Sequence, residues 1–148
     1  MKKLIYKTYI QTIKNSLGSK LFQNLYIKNQ DGDEIDILHA GTLSCAYFVS
    51  SILYMFNMIN ALHATVMNTE KEFESEKWST IDIQHIKPGD VIIWEEITYD
   101  DGSVHKHIGF YIGNYQAISH STFEQVPVQH HYTFNDTRKI INIYRYNQ

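Results

Sequence analysis

One cysteine, Cys45, and eight histidines carry most of the reactive chemistry in this 148-residue chain. Cys45 lies in LSCAYFVSSIL, where Gly41 and Ser44 precede a stripe of apolar residues at helical spacing. The thiol therefore falls in the first turn of an expected helix, with Ser44 at its N-cap. Helix N-termini present unpaired N–H groups and the positive end of the macrodipole, and both favour an anion. A thiol placed there tends toward a depressed pKa, and the thiolate is the reactive form. The same N–H groups can hold the oxyanion that forms when a thiolate attacks a carbonyl. The plainer reading makes Cys45 a small apolar filler of a helix face.

A nucleophile of this kind needs a base, and the base needs an orienting group. His107 opens the strand-like run HIGFYIG, and QAISHS returns antiparallel after Gly113-Asn114. The returning run offers Ser119 and His120. Neighbours on a strand point to opposite faces, so only one of the two can reach the imidazole. A second imidazole orients a base better than a hydroxyl does, which favours His120 and leaves Ser119 as the alternative. Tyr47, close behind the thiol, is a candidate substrate contact. His105 and His107 form an H-x-H pair, and His130 and His131 are adjacent. Neither comes with an H-E-x-x-H or C-x-x-C partner, so no metal and no other cofactor are expected.

These residues must be held by helices that come first and strands that follow. Ile5, Tyr9, Ile13 and Leu17 recur at helical spacing and predict an amphipathic helix over residues 2–16, ending near Gly18. LFQNLYIKNQDGDEIDIL reads as two short extended pieces around Asp31-Gly32-Asp33. A long helix is expected from Ser44 to Asn60, with Cys45, Val49, Ile52, Leu53 and Phe56 on its inner stripe. NTEKEFESEKW reads as a short polar helix, with Thr69 and Glu72 at capping-box spacing. IKPGDVIIWEE gives a Pro-Gly turn and a strand over Val91 to Glu95, and the Asp101-Gly102 pair in TYDDGSVHK signals a hairpin. HHYTF and KIINIYRYN supply further strand. The expected class is α+β, with N-terminal helices packed on a mainly antiparallel sheet and the nucleophile at the start of the long helix.

The succession CAYFVSSIL, IKPGDVIIW and HIGFYIGNYQAISHS resembles the NlpC/P60 and CHAP group of papain-like cysteine peptidases and amidases, over about residues 42–122. The resemblance implies a nucleophile at Cys45, a base at His107, an architectural turn at Gly89 and Asp90, and a polar third residue. Counting through the Gly-Asn turn as in NlpC/P60 proteins puts that residue at Ser119; the CHAP-like pattern puts it at His120. It also implies hydrolysis of an amide in a peptide or a cell-wall stem peptide. The rivals are a thiol acyltransferase on the same fold and a non-catalytic binding or inhibitory module. Cell-wall enzymes of the NlpC/P60 type usually carry Asp before the cysteine and Ser-Gly after it. Ser44 and Ala46-Tyr47 stand there instead, so the hydrolase chemistry is better supported than the cell-wall substrate.

The bulk numbers narrow the setting. A length of 148 residues fits a single domain spanning 1–148. A net charge of −3 without a basic stripe argues against nucleic acid as a partner. No apolar run is long enough to span a bilayer. MKKLIYKTYIQTIKNSLGS lacks the unbroken apolar core of a signal peptide, because Lys7, Gln11 and Lys14 interrupt it. The expected location is therefore the cytoplasm, or outside by a non-classical route. The oligomeric state is left open.

Overall fold

The computed structural model describes residues 1–148 as an α+β fold. The helices are α1 (Ile5–Asn15), α2 (Cys45–Met55) and α3 (Val66–Glu72). A small hairpin, β1 (Tyr26–Lys28) with β2 (Glu34–Asp36), stands apart from the main sheet. That sheet contains β3 (Trp78–Thr80), β4 (Val91–Thr98), β5 (Val104–Gly113), β6 (Gln116–His120), β7 (Pro127–His131) and β8 (Ile140–Tyr146). Its order is β3-β8-β4-β5-β6-β7, with every neighbouring pair antiparallel. No helix is long and apolar enough to cross a membrane.

Strand alternation gives the sheet two faces with different covers. On one, Ile93, Ile108, Phe110 and Ile118 pack against Phe48, Val49, Ile52 and Leu53 of α2. Phe48 anchors this layer, meeting Phe22 and Phe110 edge-on at 5.0 and 5.6 Å between ring centroids. Burial of each such side chain contributes about 1.5–3 kcal/mol, so this face supplies the main core. On the other, Ile92, Trp94, Tyr111 and Ala117 are covered by Tyr132 and Phe134 from the connection between β7 and β8 and by Ile140 at the start of β8. The indole N–H of Trp94 donates to the Tyr132 carbonyl at 2.8 Å.

The Pro-Gly-Asp turn ties the sheet to α1. Gly89 has φ of +95°, a left-handed conformation that favours glycine, and it packs closely against Ile10 and Tyr9 of α1. Tyr9 donates its hydroxyl to the Gly89 carbonyl at 2.8 Å. Asp90, almost fully buried, takes a two-pronged pair from Arg145, Nε to Oδ1 and Nη2 to Oδ2, both 2.8 Å. The turn is a fastening between α1, β4 and β8.

Three expectations about the helices are corrected. In α1 only Tyr9 and Ile13 are buried, while Ile5 and Leu17 remain exposed. α2 stops at Met55 rather than near Asn60. Asn57 adopts φ of +57°, its N–H bonds the Tyr54 carbonyl, and the Met58 N–H reaches back to Leu53. That left-handed closure ends the helix. α3 begins earlier than expected and is capped by Thr65, whose Oγ accepts from the Asn68 N–H. Thr69 is buried inside the helix, and Glu72 instead accepts from the Asn60 N–H and contacts His63 Nε2.

Candidate active site

Cys45 is the first residue of α2. The chain reaches it through a tight loop in which Gly41 has φ of +98° and a Cβ would lie 2.9 Å from the Gln125 carbonyl oxygen. Gln125 clamps this loop from the far side, donating to the Ala40 carbonyl and accepting from Gln23. Ser44 holds the N-cap position but makes no capping bond, and its buried hydroxyl has no partner. The consequence is useful: no side chain occupies the N–H groups of the first turn, which stay available to an anion. The N–H groups of Ile108 and Ala46 face the sulfur. Half-buried Cys45 opens onto a cavity of about 430 Å³, whose wall also includes His107, Thr42, Val66, Glu96 and Thr122.

His107 lies inside β5 rather than opening it, since pairing with β4 begins at Val104. It stands opposite Trp94 and is 6% exposed. Its Nε2 is 2.9 Å from Ser119 Oγ. Register explains this contact. Ser119 lies opposite Gly109, and Gly109 is two residues from His107, so all three share a face. Gly109 leaves the space empty; a Cβ there would sit 2.8 Å from Ser119 Cβ and 3.0 Å from the Trp94 ring.

His120 is corrected by the same register. It falls on the opposite face, beneath α2, where its ring lies 6.1 Å from Phe48. Neither ring nitrogen has a hydrogen-bond partner of normal geometry, although the Gly41 backbone is near. Tyr47 is also corrected: it packs against the main core and does not line the cavity. His105 does line it, with Nε2 on Ser103 Oγ at 3.0 Å.

The residue that sequence reasoning missed is His130. Ser119 Oγ lies 2.7 Å from His130 Nε2, and His130 Nδ1 lies 2.7 Å from the His131 carbonyl. β7 pairs His130 with Ala117, which puts it on the same face as Ser119. The signal was present in strand alternation, but it required the register of a third strand. Around these groups the β7–β8 connection builds an aromatic box. Phe134 stacks on His130 at 3.9 Å and 13°, and Trp94 sits within 5.5 Å of both imidazole centroids. Arg138, in the same connection, donates to the carbonyls of Glu95 and His105.

Electrostatics favours uncharged partners. Burial pushes the Cys45 thiol up, against the pull of the Ile108 and Ala46 N–H groups and of Arg138. Desolvation therefore opposes the depression expected from the helix terminus. Burial pushes the His107 imidazole well below its ordinary value, with the Arg138 cation acting in the same direction. His130 is lowered for the first reason too, partly offset by its bond to the His131 carbonyl. Burial thus favours the uncharged forms of both the thiol and the imidazole. No group of three or more His, Cys, Asp or Glu side chains is arranged to hold a metal ion.

The sequence profile of the NlpC/P60 family matches residues 39–145, which takes in Cys45, His107, Ser119 and His130. The chain belongs to the NlpC/P60 family. The family is one of hydrolytic cysteine peptidases and amidases. Among solved structures, NlpC2 from Trichomonas vaginalis superposes with a TM-score of 0.60 at 22% identity, over 99% of this chain and 48% of that one. At that identity the likeness concerns the fold, and this chain spans about half the length of that protein. No curated protein sequence matches the chain significantly. This NlpC/P60 chain thus joins the family fold to a thiol at a helix start and an imidazole on the adjoining strand.

Proposed function

We propose that this NlpC/P60 chain is a thiol hydrolase that cleaves an amide bond in a peptide, the stem peptides of cell walls included, with Cys45 as nucleophile and His107 as base. The observation that carries the reading is one cavity wall shared by Cys45 and His107, with uncapped helix N–H groups at the thiol. His107 uses Nε2 to meet Ser119, so Nδ1 is the nitrogen left for the thiol.

The proton leaves Cys45 as the sulfur attacks the substrate carbonyl. His107 receives it on Nδ1, and the Arg138 charge nearby keeps the resulting imidazolium acidic. The tetrahedral oxyanion is held by the N–H groups at the start of α2. His107 then gives its proton to the departing amine. Water, deprotonated by the same nitrogen, hydrolyses the thioester and frees Cys45.

The test is digestion of purified peptidoglycan and of a mixed peptide library, with products read by mass spectrometry. New amine and carboxyl ends formed by the native chain, and absent with Cys45→Ala, support the reading. Products carrying an added amine or alcohol in place of water identify an acyltransferase. Absence of both, together with no acyl-enzyme on Cys45, defeats the proposal.

A further inference from the structure

Three polar side chains on three successive strands form one hydrogen-bonded line beneath the aromatic box, running from His107 through Ser119 to His130 and ending on a main-chain carbonyl. The carbonyl of His131 can only accept, so the proton on His130 must sit on Nδ1. Burial favours the uncharged form of His130, in which Nε2 is a bare acceptor. Ser119 has a single hydroxyl proton, and that acceptor takes it. What remains on Ser119 Oγ toward His107 is a lone pair, so His107 must donate from Nε2–H. A neutral imidazole with its proton on Nε2 has a bare Nδ1. This is the tautomer a base needs when the other nitrogen faces the thiol.

We propose that His130 is a positioning residue that sets the tautomer of His107 through the Ser119 hydroxyl, so that one backbone carbonyl, two side chains away, dictates which nitrogen of the base is free. The inference rests on the hydrolase reading for its purpose, but its physical content does not need catalysis. Without His130, the Ser119 hydroxyl can turn and donate to His107 Nε2, which moves the imidazole proton to Nδ1 and silences the base. A hydroxyl alone accepts and donates equally well; the second imidazole removes that ambiguity. The surroundings suit the task. Trp94 and Phe134 wall the line from water, and Gly109 leaves the gap that lets Ser119 reach His107. Every hydrogen-bonding capacity along the line is used in one sense only, which makes the arrangement cooperative.

The test reads the tautomer directly, by ¹⁵N chemical shifts of the His107 ring in the full chain. The native protein is expected to show His107 as the Nε2–H form. His130→Phe preserves the ring that stacks on Phe134 but removes the acceptor, and should shift His107 toward a mixture containing Nδ1–H. His130→Gln, whose amide oxygen can accept the Ser119 proton, should restore the native pattern. Peptide cleavage should fall about 10- to 100-fold in His130→Phe and recover in His130→Gln. That is short of the roughly 10⁴-fold loss expected when a base is locked wholly in the wrong tautomer. A native His107 protonated on Nδ1, or a His107 signal unmoved by His130→Phe, overturns the proposal. If His130→Phe fails to fold, His130→Leu, which likewise lacks an acceptor for the Ser119 proton, takes its place with the same expected shift of His107. An intact Nε2–H signal in a chain that cleaves nothing would separate failure of the hydrolase reading from failure of this one.

Discussion

His107 and His120 are two imidazoles on paired strands, 6% and 1% exposed, and burial lowers the pKa of both. They nevertheless have opposite fates. His107 faces the Trp94 side of the sheet, where a hydroxyl meets one nitrogen and a cavity opens beside the residue. His120 faces α2, pressed near Phe48, with neither nitrogen in a well-formed hydrogen bond. The difference is parity along a strand, not residue type. Chemistry favours an imidazole over a hydroxyl as orienter, yet the backbone presents the hydroxyl, and a third histidine stands behind it.

The largest separation between the two should be catalytic. His107→Ala and Cys45→Ala are each expected to lower peptide-bond cleavage by roughly 10³- to 10⁴-fold. His120→Leu should leave cleavage within about twofold. Circular dichroism checks that all three variants fold. Comparable losses in His107→Ala and His120→Leu would erase the distinction.

Acid should expose the buried pair next. His120 is lowered from 6.5 to about 4, so below 6.5 the unfolded chain binds a proton that the folded chain refuses. Stability from this group is complete above pH 6.5 and is lost as pH falls toward 4, by up to about 3 kcal/mol. His120→Leu should flatten that part of a denaturant-melt series and equal or exceed the native stability at pH 7. The latter follows because a buried nitrogen without a partner costs about 1–3 kcal/mol. Acid sensitivity that remains should trace to His107 and His130, whose pKa values are lowered as well.

The Ser119–His130 line gives a smaller effect with a sharper signature. Ser119→Ala and His130→Phe should each reduce cleavage about 10- to 100-fold, and the double variant should be no worse than the weaker single one. Groups acting as a unit are strongly non-additive. Additive losses would mean the two act separately. Gly109→Ala should destabilise by about 2 kcal/mol through overpacking against Ser119 and Trp94, read as a fall in the urea midpoint. No change there would show that the gap beside His107 tolerates filling.

Much of this was legible in the sequence. Apolar periodicity announced α2, the hairpin signals announced the strand pairs, and a helix start and an alternating strand placed Cys45 and His107, which line one cavity. The turn at Gly89 and Asp90 reads as architecture, and its buried pair with Arg145 gives the physical form of that architecture. What stayed hidden depended on registers between distant segments. Choosing Ser119 over His120 needs the pairing across the β5–β6 turn, which contains a register shift between Tyr111 and Gly113. Finding His130 needs a further strand, and finding Phe134 and Arg138 needs the path of a connection with three successive left-handed residues, Phe134 to Asp136. Helix-terminus stabilisation of the thiol is visible locally, whereas the desolvation that opposes it is set by everything packed around it.

The pairing of thiol and imidazole is best tested by alkylation, since Cys45 is the only cysteine and no substrate need be known. With the thiol pushed up by burial, reaction with iodoacetamide at pH 7.5 depends on a base to take the proton. The native chain should label at least about tenfold faster than His107→Ala, an effect of the size expected for a positioned base. Equal rates in the two proteins would show that His107 does not act on Cys45.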